Sequence, residues 1–409
     1  MGIWAASLIS QVIGTRLPGL GSSIRSVTLD FAAPVPVGKP VTATVRVAEK
    51  DASSGAVKLD CHCTLDDGSE ILAATALVVA PRERIRAPLH ALPKVQLQRE
   101  DRYLELLARC ERLAPMRTAV VYPCSPDALA GVAEAAEQHL IEPILVGPEA
   151  KIRAVADAAG VEIPYRIVAA EHSEHAAALA VELVRRGEAD NLMKGSLHTD
   201  ELLRAVLRPE AGLRTKGRLS HCFLLAVPTY PRPIILTDAA INISPDLRTK
   251  RDICQNAIDL ARALGLATPK LAILAAVETV NPDMPATLEA ASLCKMADRG
   301  QITGGIRDGP LAFDNAVDED AARTKGIVSP VAGRADILVA PDLEAGNMLA
   351  KQLTFMAGAE AAGIIVGARV PVVLTSRADS ARTRLASCAL SVLMAEAQRT
   401  GLVMRQAAE

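Results

Sequence analysis

The sequence predicts a small α+β module followed by a two-lobed α/β protein, and three observations carry that reading. Residues 41–80 alternate apolar and polar side chains with period two, as half-buried antiparallel strands do. Beyond residue 97 short apolar runs alternate with longer helical patterns, the arrangement of parallel βαβ units whose helices cover both faces of a sheet. Those apolar runs outnumber what one doubly wound unit requires, so they are divided between two lobes facing across a cleft.

The individual elements follow from local pattern. The opening run GIWAASLISQVIG reads as a short apolar helix stopped by the Pro18-Gly19 turn. Val41, Ala43, Val45 and Val47 mark one strand, Val57, Leu59, Cys61, Cys63 and Leu65 a second, and residues 71–79 a third. Ser53-Ser54-Gly55 and Asp66-Asp67-Gly68-Ser69 supply the turns of an antiparallel meander. This module occupies residues 1–85, and a stretch of proline, arginine and lysine makes residues 86–97 a linker. A strand at 118–123, a helix at 127–140, a strand at 143–146 and helices at 150–159 and 175–186 open the first lobe. Further strands are expected at 222–227, 234–236, 271–276, 337–339, 364–366 and 372–374. A C-terminal helix returns to the first lobe, which takes residues 98–216 and 363–409 and leaves 217–362 to the second.

Composition narrows the function classes. A net charge of -2 spread along 409 residues gives no electrostatic reason to expect nucleic acid or an anionic membrane surface, and 2% aromatic residues argue against base stacking. The eight cysteines are scattered. The one close pair, Cys61 and Cys63, has a spacing unlike that of zinc sites, so no metal is expected. No basic n-region precedes the apolar start and no apolar run approaches the roughly 20 residues that span a bilayer. A cytoplasmic enzyme acting on small molecules is the expectation.

Candidate chemistry lies where strands end and helices begin. The run PVVLTSRADSAR places Ser376 and Arg377 after an apolar strand and before a helix of small residues. There, helix N–H groups, a guanidinium and a hydroxyl converge on an anion, at the sheet end where open α/β folds bind ligands. Lys194-Gly195-Ser196 forms a basic loop, with Thr199 as the expected N-cap of a helix carrying Arg204. His221 follows Ser220 at a strand start, where a hydrogen-bonded structural role competes with acid or base work. Asp238 and Asn242 follow another strand, and Asn347 and Lys351 stand four apart on one helix face. No G-x-G-x-x-G follows a strand, and neither a P-loop nor a G-x-S-x-G elbow occurs.

In their order, KGSLHTDELLR, RLSH, LTDAAINISPDL, DGPLAFDNAV, KGIVSPVAGRADILVAPDLEAGNMLAK and PVVLTSRADSA resemble the phosphate acetyltransferase and phosphate butyryltransferase family across residues 98–398. The most specific part is the series Lys325, Gly333, Asp336, Pro341, Gly346, Asn347 and Lys351. The resemblance implies a two-lobed fold similar to isocitrate and isopropylmalate dehydrogenases, catalysis in the cleft and a homodimer. It also implies reversible transfer of an acyl group between coenzyme A and inorganic phosphate, both as substrates, with no bound cofactor. Ser376 and Arg377 match the family's Ser-Arg pair, and Arg204 matches an arginine after the lysine-glycine loop. Lys194, Thr199, His221, Asp238, Asn347 and Lys351 are the further substrate-binding candidates. In the acetyl branch the pair continues with glycine, and an aspartate seven residues after the serine takes the thiol proton. Here Ala378 and Thr383 occupy those places, Asp379 is the nearest carboxylate, and SRADSA is more similar to the butyryl branch.

The first module has its own likeness. GIWAASLISQVIG, LPGLGS and FAAPVPVGKPVTATVRVAEK resemble the later part of MaoC-type enoyl-CoA hydratases, which are hotdog folds. Their D-x-N-x-x-H motif would lie ahead of this segment, so no hydratase activity is expected. Two alternatives stand beside the acyltransferase: a hydroxy-acid dehydrogenase on the same fold, and a noncatalytic scaffold that binds acyl-CoA.

Overall fold

The computed structural model describes residues 2–36, 39–81, 102–374 and 380–403, and the chain divides into two units, Met1–Leu97 and Gln98–Glu409. No helix among the described residues is long and apolar enough to cross a membrane.

In the first unit, helix α1 (Gly2–Thr15) buries Ala5, Ile9 and Ile13, spaced four apart on one face. They pack against strands β1 (Ser23–Phe31), β2 (Val41–Asp51), β3 (Ala56–Leu65) and β4 (Glu70–Val79), which form an antiparallel sheet in the order β1-β4-β3-β2. The expected meander is β2 to β4. Strand β1 was not expected: Val27, Leu29 and Phe31 alternate, but a register shift between Ile24 and Ser26 cuts the run short, and every residue of the strand is exposed. Cys61 and Cys63 point into the core beneath α1, where the Cys63 thiol donates to the Ala5 carbonyl. Burial pushes the Cys61 thiol up to about 11, so both cysteines pack as small apolar groups.

The second unit opens with α2 (Arg102–Ala108), β5 (Met116–Val121), α3 (Pro126–Glu137), β6 (Ile141–Gly147), α4 (Glu149–Ala159), β7 (Arg166–Ala169), α5 (Ser173–Arg185), β8 (Asn191–Lys194) and α6 (Thr199–Val206). It continues with β9 (Ser220–Ala226), β10 (Ile234–Thr237), α7 (Leu247–Ala263), β11 (Lys270–Leu274), α8 (Pro285–Asp298), β12 (Ile306–Leu311), α9 (Phe313–Val317) and α10 (Glu319–Thr324). The last elements are β13 (Ile337–Val339), α11 (Leu343–Met356), β14 (Glu360–Val366), β15 (Val372–Val373) and α12 (Ala381–Arg399). Strand β7 escaped the sequence reading because four half-exposed residues at a sheet edge carry almost no periodic signal. Helix α6 starts at Thr199 itself, so its cap is His198. Strand β14 begins at Glu360, three residues before the expected return to the first lobe at residue 363.

Among the described residues of this unit, eleven strands join one sheet in the order β12-β11-β13-β10-β9-β14-β15-β8-β5-β6-β7. Strands β7, β6, β5, β8 and β15 are parallel, as are β12, β11, β13 and β10. Between the two blocks, β14 is antiparallel to both β15 and β9, and β9 is antiparallel to β10. Three reversals separate the blocks, so they run in opposite directions. Their carboxyl ends therefore lie at opposite edges of the sheet.

Candidate active site

A cavity of about 950 Å³ opens in the second unit where β9 ends and β14 begins. Its floor follows from register. Ala362 pairs with Leu224, and Leu224 with Ile235, so three apolar side chains on adjacent strands point to one face. Tyr103 and Leu106 of α2 and Ala386 of α12 line the sides. Helix α12 is fixed to the sheet by Ser387, whose hydroxyl accepts the Gly363 N–H at 3.0 Å.

The next row outward is Glu360 opposite Ala226, and here the lining turns polar. The Arg382 guanidinium lies 2.7 Å from the Glu360 carboxylate and 4.2 Å from the centre of the Tyr103 ring. Ser380 caps α12 by accepting the Thr383 N–H at 3.1 Å, and its hydroxyl lies 3.0 Å from that of Thr383. Both side chains line the cavity. Lys351 and Asn347 line it from α11, and the Asn347 amide donates to the Ala239 carbonyl at 3.0 Å. Apolar walls behind a charged mouth suit a ligand with an apolar end and an anionic or polar body.

A profile described as phosphate acetyl/butaryl transferase matches residues 164–392. A phosphate acetyltransferase of Rhizobium meliloti is 59% identical over 304 residues, covering 74% of this chain and 96% of that protein. A phosphate butyryltransferase of Clostridium acetobutylicum is 42% identical over 292 residues, covering 71% of this chain and 97% of its own. The chain belongs to the phosphate acetyl/butyryl transferase family. Among solved structures, a branched-chain phosphotransacylase from Enterococcus faecalis superposes with a TM-score of 0.59 at 33% identity, covering 68% of this chain and 99% of that one. A Streptococcus pyogenes phosphotransacetylase shares the fold with a TM-score of 0.63 at 22% identity over 73% of this chain and 99% of its own.

In this member of the phosphate acyltransferase family the residues singled out from sequence fall into four places. Ser376, Arg377 and Asp379 lie outside the described residues, between β15 and the cap of α12. Lys194, Thr199 and Arg204 belong to the carboxyl edge of the β8 block. Lys194 is 8% exposed and donates to the Gly195 carbonyl, while Arg204 is exposed and bonded to Glu174 at 3.0 Å and Asp200 at 3.3 Å. The loop between them is tied to β5: Gly195 and Ser196 donate to the Val121 and Tyr122 carbonyls, both at 2.9 Å. A Cβ at Gly195 would stand 2.5 Å from the Val121 oxygen, so only glycine permits that approach.

His221 and Asp238 belong to the opposite, β10 edge. The Asp238 carboxylate accepts the N–H groups of Ala240, Ile241 and Asn242 at 3.0 to 3.2 Å, and the Asn242 amide as well. His221 is 1% exposed, with its ring against Phe223 at 4.3 Å. Burial pulls its imidazole down to about 4, against a smaller opposing pull from Asp238. Of the ten residues singled out, the cavity collects Asn347 and Lys351. Glu360 and Tyr103 carried no signal in the sequence, because each becomes relevant only when a distant segment folds against Arg382.

Proposed function

We propose that this protein moves a short acyl group reversibly between coenzyme A and inorganic phosphate, giving an acyl phosphate. The observation that carries the reading is the family match across the chain's second unit, together with a cavity at the start of the helix that follows Ser376 and Arg377. In the direction of acyl-CoA synthesis, Asp379 takes the proton of the coenzyme A thiol, which at a pKa of about 8.5 is mostly protonated at neutral pH. The thiolate attacks the carbonyl carbon of the acyl phosphate, Ser376 hydrogen-bonds the developing oxyanion, and the C–O bond to phosphate breaks. Arg377 and Arg204 hold the departing phosphate, with Lys194 and Thr199 beside Arg204. Lys351 and Asn347 face the coenzyme from α11; His221 and Asp238, at the opposite edge of the sheet, hold the β10 loop in shape.

The oppositely directed strand blocks support a two-lobed, isocitrate dehydrogenase-like reading, with residues 98–216 and 363–409 in one lobe and 217–362 in the other. The family supports a homodimer in the cytoplasm with no bound cofactor. A helix laid on a four-stranded antiparallel sheet supports a hotdog-like reading of the first unit.

The direct test follows free thiol released from acetyl-CoA and butyryl-CoA with and without phosphate. Phosphate-dependent release is expected; none from any acyl-CoA overturns the reading. Arg377→Ala should keep the fold and lose about a hundredfold in turnover, the usual cost of removing one charged transition-state contact.

A further inference from the structure

We infer that Arg232 and Arg109, on the wall of the cavity, seat the phosphates of coenzyme A; this rests on the acyltransferase reading above and assigns residues to the end of the coenzyme remote from its thiol. Charge balance singles them out. Five cationic side chains line the cavity against three carboxylates, in a chain whose net charge is -2. All three carboxylates are engaged within the protein: Glu105 by Arg102 at 2.9 Å, Glu360 by Arg382 at 2.7 Å, and Asp336 by the Lys270 N–H at 2.9 Å. Arg232 and Arg109 are held by carbonyl oxygens instead, which fix a guanidinium without neutralising it. The half-buried Arg232 donates to the Gly333 carbonyl at 3.1 Å and lies 5.9 Å from the Tyr230 ring, whose hydroxyl donates to the Val317 carbonyl at 3.2 Å. That carbonyl is its one hydrogen-bond partner among the described residues, for the five N–H groups that a guanidinium offers. Arg109 donates to the Leu264 and Ala263 carbonyls at 2.6 and 3.3 Å, and no carboxylate pairs with it among the described residues.

The two arginines sit at opposite ends of one wall. Arg102 ties the first turn of α2 to the Pro231 carbonyl at 3.2 Å, beside Arg232, whereas Arg109 follows the last turn on the same face as Arg102. Seven residues at a rise of 1.5 Å each separate Arg102 from Arg109 by about 10 Å. A free phosphate reaches one end of such a wall. Coenzyme A carries a diphosphate and a separate ribose phosphate, and so can meet both. Guanidinium forks matched to phosphate oxygens are the pairing in which arginine gives both affinity and orientation.

The test measures kcat and KM for acetyl-CoA and for S-acetylpantetheine, which keeps the thioester and lacks every phosphate of the coenzyme, with saturating inorganic phosphate and the full chain. Arg232→Ala should raise KM for acetyl-CoA about tenfold or more with kcat little changed, as expected when one charge-assisted contact is lost, and should leave kcat/KM for S-acetylpantetheine at the wild-type value. Arg232→Lys should recover part of the loss, since the charge stays and the fork goes. Arg109→Ala should act in the same sense but less, because its side chain is more open to water. Thermal melting of each variant confines the comparison to folded proteins. Calorimetric binding of adenosine 3′,5′-bisphosphate reads the seat without chemistry: the wild type should bind it, and the variant lacking both arginines should not. An unchanged KM in both alanine variants, equal losses for acetyl-CoA and S-acetylpantetheine, or bisphosphate binding indifferent to both arginines would overturn the seat and leave the acyltransferase standing. Absence of phosphate-dependent release from any acyl-CoA would instead remove the reading beneath it, and bisphosphate binding would then decide the seat by itself.

Discussion

The two carboxyl edges of the long sheet use polar residues in opposite ways. At the β10 edge polarity is turned inward: Asp238 spends its carboxylate on three N–H groups of its own loop, Asn242 also donates to the Leu219 carbonyl, and the Thr237 hydroxyl to that of His221. At the cavity rim Glu360, Arg382 and Lys351 remain at least partly open to solvent. A polar cluster in a sequence is therefore not yet a site. Where buried polar groups bond to their own backbone they shape the loop, and where charged groups pair at a solvent-open rim they can still meet a ligand.

The sharpest way to break this comparison is Asp238→Ala. Removing the carboxylate strands three backbone donors that are now paired, at about 1–3 kcal/mol each, so a loss on the order of 3 kcal/mol or more is expected in urea unfolding. Asp238→Asn, which keeps an acceptor, should lose less. A variant to alanine with the wild-type midpoint would mean that the carboxylate is not needed by its loop, and the inward reading of that edge would fail.

His221 tests the same edge through pH. Its imidazole titrates near 4 in the folded chain against 6.5 in the unfolded one, because burial disfavours the cation. Between those values the unfolded chain binds the extra proton, so stability is complete above about pH 6.5 and declines as pH falls toward 4, by about 3 kcal/mol in all. His221→Gln should flatten that decline. Asp259 carries the opposite sign: burial raises its carboxyl to about 6, so it contributes stability at low pH that fades as pH rises from about 4 to 6. Asp259→Asn should therefore steepen the acid decline that His221→Gln removes.

Local pattern made most strands legible, including residues 337–339 as the structure has them, because a buried strand is a short unbroken apolar run. Two of the three reversals that separate the blocks were also written in the chain, though they were not read there; the third, β14 against β9, pairs distant segments and left no such mark. Residues 227–233 between β9 and β10 contain Pro228, Pro231 and Pro233 and are too few for a crossover helix, as are residues 367–371 between β14 and β15. Parallel strands need connections of about a dozen residues or more, so both links had to be antiparallel. Once the blocks reverse, the Lys194 and Asp238 loops cannot share one edge. The cavity was less legible for a different reason. Its floor is an alanine, a leucine and an isoleucine from three strands, which resemble any other core residues until register sets them in one row.

The smallest effect is expected at the rim, where Glu360 and Arg382 are paired with side chains 43% and 37% exposed. An ion pair so open to water contributes about 1 kcal/mol or less, since solvent and salt screen it. Glu360→Gln should thus shift the unfolding midpoint little, in contrast to Asp238→Ala. Its consequence should appear in binding: removing the carboxylate's negative charge from the rim raises the attraction for the anionic coenzyme, and KM for acyl-CoA should fall a fewfold at low ionic strength, with the difference closing as salt is added. A large loss of stability would show that the rim is built like the β10 edge. A KM indifferent to both the substitution and salt would show that the coenzyme does not pass Arg382, and the entry route would have to be drawn along α11 and Lys351 instead.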